Sequence, residues 1–280
     1  MKTTKRTPLL QNLSLVLPIA LACLFVLIPI YWTVNTSLKV PATVVSFPPK
    51  WLPQPFSLES YVNIITESVL PRNYLNSLIL VAGTMALVLA IGVPAGYAAA
   101  RYEFKGKNAI LFLLMMTVMI PGIVTLIPQY FLAVRLGLYD SYLVLILIYG
   151  AWQVPTVIWI MRGFFQNIPR ELDESAQVDG CSRVGAFYRV VLPLSVPGIA
   201  AAAIVVFVWV WNEFIIALNM TASNATRPLT VGLYFFIGET GIQWGGMSAG
   251  AAMALLPVIL AFIFLQRRFV EGLTAGSVKG

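Results

Sequence analysis

Between Asn76 and Ala100 the chain carries no Asp, Glu, Lys or Arg. A stretch of that kind suits lipid better than water, because about 20 apolar residues wound as an α-helix cross a bilayer while every backbone N–H and C=O is bonded internally. The pattern recurs at about 13–33, 109–134, 142–161, 196–217 and 249–266, broken by a charge only at Glu213. Six such runs set the expectation: an all-α integral membrane protein, a bundle of six transmembrane helices forming one transmembrane domain over 1–280. Composition agrees. Hydrophobic residues make up 59% and charged residues 10%, where soluble domains hold about 25% charged. Pro94, Pro121, Pro128, Pro155 and Pro257 fall inside the runs and predict bent helices that neighbours in a bundle tolerate.

What the composition lacks excludes several chemistries. Histidine is absent, so Ser-His or Cys-His catalysis and His-based metal sites have no ligands or bases. No catalytic residue and no metal ligand is nominated. Cys23 falls in an apolar run and Cys181 in a polar loop, so the two are read as small packing residues and not as a disulfide. The first run is too long for a signal-peptide core and no small-residue cleavage site follows it, so it is read as an uncleaved span. After it, 35–72 is polar and proline-broken, with Trp51, Phe56 and Tyr61 suited to the membrane interface.

Lys and Arg set the orientation. Lys2, Lys5, Arg6, Arg101, Lys105, Lys107, Arg162, Arg170, Arg183, Arg189, Arg267, Arg268 and Lys279 fall on one side, which is 13 of 18, and Lys39, Lys50, Arg72, Arg135 and Arg227 on the other. Both termini and the connection 162–195 are therefore expected in the cytoplasm. The surplus behind the net charge of +7 then lies against the anionic leaflet, and nucleic-acid binding need not be invoked.

That connection, between the fourth and fifth runs, is the most charged part of the chain. Pro169 suits a first helical position, and Glu171, Asp173 and Glu174 oppose the positive end of the helix dipole. Gly180 fits a left-handed stop, and Ser182 a cap on a second helix. In that helix Val184, Phe187, Tyr188 and Val191 form one apolar face, and Pro193 ends it. Two short helices with a break between them are expected.

Glu174-Ser175-Ala176, then Gly180 after three residues, then Val190-x-Leu192-Pro193 after nine more, resembles the signature E-A-A, x3, G, x9, I-x-L-P of permease subunits of binding-protein-dependent ABC importers. Ser175 and Val190 depart from it conservatively. Phe56–Tyr61, Asn76-Ser77, Ala98–Arg101 with Gly106-Lys107, Ile120-Pro121-Gly122, Arg162–Phe165, Trp211–Phe214 and Gly272–Gly276 extend the resemblance to sugar-type permeases, in particular the maltose-type "G" family. The resemblance implies a bacterial or archaeal plasma (inner) membrane and import of a carbohydrate, with glycerol-phosphate or polyol permeases as close alternatives. The implied partners are a second, different permease subunit, two ATP-binding subunits and an extracytoplasmic solute-binding protein. Glu174, Ser175, Ala176, Asp179, Gly180, Val190, Leu192 and Pro193 become the ATPase-coupling loop. This chain needs no cofactor, since ATP and Mg would sit in the partners. No phosphate-binding loop is present either: Gly106-Lys107 is followed by Asn108 and lacks the leading glycine.

Trp211, Asn212 and Glu213 are substrate-path candidates, because an aromatic ring, an amide and a carboxylate can hold sugar hydroxyls. The structural alternative for Glu213 is a bond to a neighbouring helix or contact with interfacial water. The glycine-rich 219–248 is read as a flexible outer loop, either meeting the binding protein or simply connecting. The tail 271–280 either touches the ATPase or frays. A stand-alone secondary transporter would place ionisable groups within its spans, and these are nearly bare. A membrane enzyme would need a cluster of catalytic groups at one depth, which a chain without histidine and with one buried acid does not offer.

Overall fold

The structure, a computed structural model, describes residues 8–238 and 241–274. Lys2, Lys5, Arg6, Lys279 and the end of the tail from Ala275 lie outside the described residues. In chain order the elements are α1 (Pro8–Ser37), α2 (Glu59–Glu67), α3 (Leu70–Arg101), α4 (Lys107–Met119), α5 (Gly122–Arg135), α6 (Tyr142–Gln166) and α7 (Glu171–Val178). There follow α8 (Arg183–Ala186), a π turn (Phe187–Val191), α9 (Leu192–Leu194), α10 (Val196–Asn212), α11 (Ile215–Met220) and α12 (Leu229–Tyr234). A two-stranded hairpin of β1 (Ile237–Gly238) and β2 (Gly241–Ile242) precedes α13 (Trp244–Thr274).

Among the described residues four helices are long and apolar enough to cross a membrane: Val16–Ser37, Leu70–Arg101, Tyr142–Gln166 and Trp244–Phe264. Two bent pairs bring the number to six if each pair counts as one crossing. The all-α membrane architecture is as expected, but two of the runs are not continuous helices. The run 109–134 breaks into α4 and α5 with a bend of 96°. Pro121 lacks an N–H and disfavours helix at the residue before it, so Ile120 (ψ 123°) and Pro121 (ψ 126°) are both extended. The run 196–217 breaks at Glu213, also extended (ψ 132°), and resumes as α11.

The chain divides into two compact units: one takes residues up to Leu70 with Leu233–Leu255, the other Pro71–Gly232 with the chain from Leu256 onward. In the first, the proline-broken segment after α1 is tied down. Ser57 N–H donates to Leu38 C=O at 2.9 Å. The buried Lys39 ammonium donates to Lys50 C=O at 2.6 Å and lies 4.7 Å from the Trp32 ring centre. Burial, and then the charge of Lys50, lowers the Lys39 pKa. Trp51 and Phe56 are exposed, and Tyr61 is half-buried with its hydroxyl 2.8 Å from that of Ser37.

In the second unit α3 packs on α6 at unusually close range. A Cβ added at Gly96 would stand 2.7 Å from Met161 Cβ, and one at Gly92 2.9 Å from Val157 Cβ. Lipid offers helices no hydrophobic drive to associate, so close van der Waals contact across small residues is what holds this pair. Val157, Met161 and Phe165 are fully buried along the α6 face that results.

Candidate functional site

The connection after α6 folds into the expected pair of short helices, with changes in detail. Helix α6 runs to Gln166, past the expected end at 161, because Phe165 is buried and Arg162 rests 5.0 Å from the Trp159 ring centre. Helix α7 begins at Glu171, two residues after Pro169, and the N–H groups of Asp173 and Glu174 both reach Arg170 C=O. Gly180 takes φ +89°, the left-handed stop that its lack of a Cβ permits. Ser182 accepts from Gly185 N–H at 3.1 Å and caps α8.

The second helix is not a regular α-helix. Leu192 N–H bonds back five residues to Phe187 C=O. Pro193 has no N–H to give the carbonyl four residues before it, and a π turn accommodates that loss. The apolar residues consequently split: Phe187 and Val191 are buried, while Val184 is 65% and Tyr188 56% exposed. Glu174, Ser175, Asp179 and Pro193 are exposed, Val190 and Leu192 are half-buried, and Ala176 is buried. Among the described residues Glu174 makes no ion pair.

Asp173, which sequence reasoning treats only as a dipole partner, has a larger role. Its carboxylate is buried, receiving Tyr97 O–H at 2.6 Å and facing Arg101 Nε at 2.8 Å. Arg101 also donates to Ile168 C=O at 2.9 Å, and Arg170 reaches back to Ala100 C=O. Tyr97 packs on Phe187 with ring centres 4.6 Å apart. The end of α3 is thus clamped to the inner face of the two-helix knob by an ion pair, a hydroxyl and an aromatic contact. The signal available in the sequence is an acid in a first turn with an Ala-Ala-Ala-Arg-Tyr helix end upstream, and nothing in spacing joins residues that far apart.

Trp211, Asn212 and Glu213 do not form one set. Trp211 is buried against Phe207 and Tyr74, and the Asn212 amide donates to Val208 C=O of its own helix at 2.8 Å. Glu213 sits in the break between α10 and α11. Its carboxylate accepts from Ile216 N–H at 2.7 Å, Ala217 N–H at 3.0 Å and Tyr149 O–H at 2.7 Å, and Thr230 O–H donates to its backbone carbonyl. The acid therefore caps α11 and ties it to α6, and it lines a cavity.

The connections around Asp140 and along 221–229 are more pinned than expected of 219–248. Asp140, at φ 56°, accepts from Ala222 N–H at 3.0 Å, Ser223 N–H at 3.2 Å and Thr226 O–H. Burial pushes its carboxyl up, but these donors outweigh it and hold the pKa below 3.8. Asn73 and Asn76 both donate to Arg227 C=O, and Ser77 accepts from Leu229 N–H.

Several long apolar helices and a hydrophilic two-helix knob define a multi-pass membrane protein. Residues 92–274 match the family described as binding-protein-dependent transport system inner membrane component, and the chain belongs to that family. It is similar to the sulfoquinovosyl glycerol transport system permease protein of Agrobacterium fabrum, 35% identical over 91% of this chain and 89% of that one. The trehalose transport system permease protein of Mycobacterium tuberculosis is 33% identical over 91% and 93%. The trehalose/maltose transport system permease protein of Thermococcus litoralis is 32% identical over 98% and 99%. In fold it is similar to a bacterial ABC transporter involved in the import of alginate, with a TM-score of 0.81 at 21% identity, covering 96% of this chain and all of that one. As a family member the chain is a permease component of an ABC importer, working with ATP-hydrolysing and solute-binding partners, and is not itself an enzyme.

Proposed function

We propose that this chain is one of two different permease subunits of a carbohydrate importer, driven from the cytoplasm through the knob 167–195. The observation that carries the reading is the knob's two-sidedness. Its inner face is clamped to α3 by Asp173, while Glu174, Asp179, Val184 and Tyr188 face outward. An exposed acidic and apolar surface on a firmly held base suits docking into a moving ATPase, which a chain without a nucleotide site requires. Support for sugar as cargo comes from relatives named for trehalose, maltose and diacetylchitobiose transport. The count of Lys and Arg supports termini and knob in the cytoplasm of a bacterial or archaeal cell, with the solute-binding protein meeting the opposite side.

Two substitutions test the docking surface in the assembled importer. Glu174→Lys and Gly180→Leu are expected to abolish vanadate-sensitive uptake while the protein still inserts and Glu174→Cys is labelled only from the cytoplasmic side. Unchanged uptake in both, or labelling from outside, refutes the reading.

A further inference from the structure

The two breaks in the apolar runs, at Pro121 and at Glu213, border the same space. A cavity of about 470 Å3 is lined by Ile120 and Gly122 of the α4–α5 elbow, by Trp152, Gln153 and Thr156 of α6, and by Trp209 and Glu213 at the end of α10. All of these belong to the second compact unit. Irregular backbone at membrane depth is tolerated where it is buried in protein or lines a water-filled cavity, and not where it faces lipid. Breaks in spanning helices are also where transporters place substrate sites.

The walls carry a specific set of groups. Gln153 is buried (4% exposed), yet its Oε1 has no hydrogen-bond partner among the described residues. A buried amide oxygen without a donor is costly, so this one fits a hydroxyl-bearing visitor. Trp152 covers the elbow, since a Cβ on Gly122 would lie 3.7 Å from its ring, and Trp209 flanks the other side, edge-on to Tyr149. Both present apolar ring surface. Glu213 has three donors on its carboxylate, and such a group offers about four lone-pair sites, so one remains for a hydroxyl. Among the described residues no Lys or Arg lines the cavity, and Glu213 is the one ionisable group that does.

From this geometry we infer that the cavity is a contact station for an uncharged sugar ring within this subunit. Gln153 and Glu213 accept its hydroxyl protons, and Trp152 and Trp209 cover its apolar ring surface. The volume falls in the roughly 300–1,000 Å3 of small-molecule sites. A lone carboxylate between apolar walls repels a carboxylate, phosphate or sulfonate, so an anionic sugar is disfavoured here. The inference rests on the carbohydrate reading above and names the class of cargo and the residues that meet it.

The test uses the complete importer in proteoliposomes, with Cys23→Ala and Cys181→Ala in this chain and Thr156→Cys added at the cavity wall. Labelling by a small thiol reagent is read by mass on this chain, with maltose, trehalose or diacetylchitobiose as neutral probes and sulfoquinovosyl glycerol as the anionic one. At ten times its half-protecting concentration the transported neutral sugar should slow labelling roughly tenfold, while the anionic probe leaves it unchanged. Gln153→Leu keeps the shape and removes the amide. It should weaken protection and lower uptake per ATP hydrolysed about tenfold, as for one lost hydrogen bond at a buried site, with binding-protein-stimulated ATP hydrolysis retained. Uptake of a neutral sugar that leaves the introduced thiol unprotected, equal protection by the anionic probe, or a Gln153→Leu variant with normal uptake overturns the cavity assignment and leaves the proposed function standing. Failure of the importer to move any of these sugars refutes the carbohydrate reading and the station with it.

Discussion

Removing the Asp173 side chain should detach the knob from α3. Asp173→Ala leaves the Arg101 guanidinium and the Tyr97 hydroxyl without their shared partner, and the side chains of the pair are only 6% and 10% exposed. Breaking a buried pair from one side costs about 3–5 kcal/mol, because the remaining charge stays buried. At 1.4 kcal/mol per factor of ten, this raises the equilibrium constant for lifting α7 by roughly a hundred- to several-thousand-fold. Amide hydrogen exchange of 171–194 in the assembled importer reads that opening directly, and uptake per ATP hydrolysed should fall alongside it. Asp173→Asn keeps an acceptor for Tyr97 and should lie between wild type and Asp173→Ala. The double variant Asp173→Leu with Arg101→Met removes both charges and restores apolar packing, so it should regain much of the exchange protection. Wild-type protection and uptake in Asp173→Ala would refute the clamp. A double variant as loose as the single one would show that packing, not the ion pair, is at fault.

Glu213→Ala leaves Tyr149 O–H and two N–H groups without an acceptor, and should lower the thermal midpoint by the equivalent of roughly 1–3 kcal/mol, with Glu213→Gln clearly milder. An unchanged melt of the purified subunit in detergent would remove its capping role. Asp140 has its pKa held below 3.8, so the stability it adds is fully present above that ordinary value and fades as pH falls through the depressed one. Proteolysis of 221–227 should therefore rise in wild type on acidification below 3.8 and be pH-independent there in Asp140→Asn. Gly96→Leu drives a side chain into Met161 and Ile158 C=O, and should cost roughly 1–3 kcal/mol or prevent assembly, read as loss of the intact importer on native gels, whereas Gly163→Ala, where a Cβ meets open space, should be tolerated on the same gels.

The membrane class, the position of the knob, its left-handed glycine and its serine cap are legible in the sequence because each depends on local composition or on a backbone rule. The elbow at Pro121 is only half legible. Proline announces a bend, but a bend of 96° requires both Ile120 and Pro121 to be extended, which depends on what packs around them. A period of 3.6 assigns Phe187 and Tyr188 to one apolar face, and the π turn changes that period, burying one and exposing the other. Glu213 and its alternative of a bond to a neighbouring helix are legible, but which residue makes that bond is not, and the same holds for the partners of Asp173. Each acid has partners on elements far away in the chain, Tyr97 and Arg101 for Asp173 and, beside the local N–H groups of Ile216 and Ala217, Tyr149 for Glu213, and no spacing rule connects the distant ones.

Within the second unit the contacts form a continuous sequence. Asp173 fixes the knob to the last turn of α3 through Tyr97 and Arg101. One turn before Arg101, Gly96 lies against Met161, and another turn before that Gly92 lies against Val157, so α3 cannot slide along α6 without a backbone clash. Helix α6 in turn carries Trp152, Gln153 and Thr156 into the cavity, and Tyr149 to the Glu213 carboxylate at the break in α10–α11. Close-packed interfaces of this kind move as blocks or not at all. Under the proposed function, then, a displacement of the knob reaches the cavity wall through two rigid helices, and the elements left to absorb the motion are the places where the helices are already broken, Ile120-Pro121, Ser195 with its 74° bend, and Glu213.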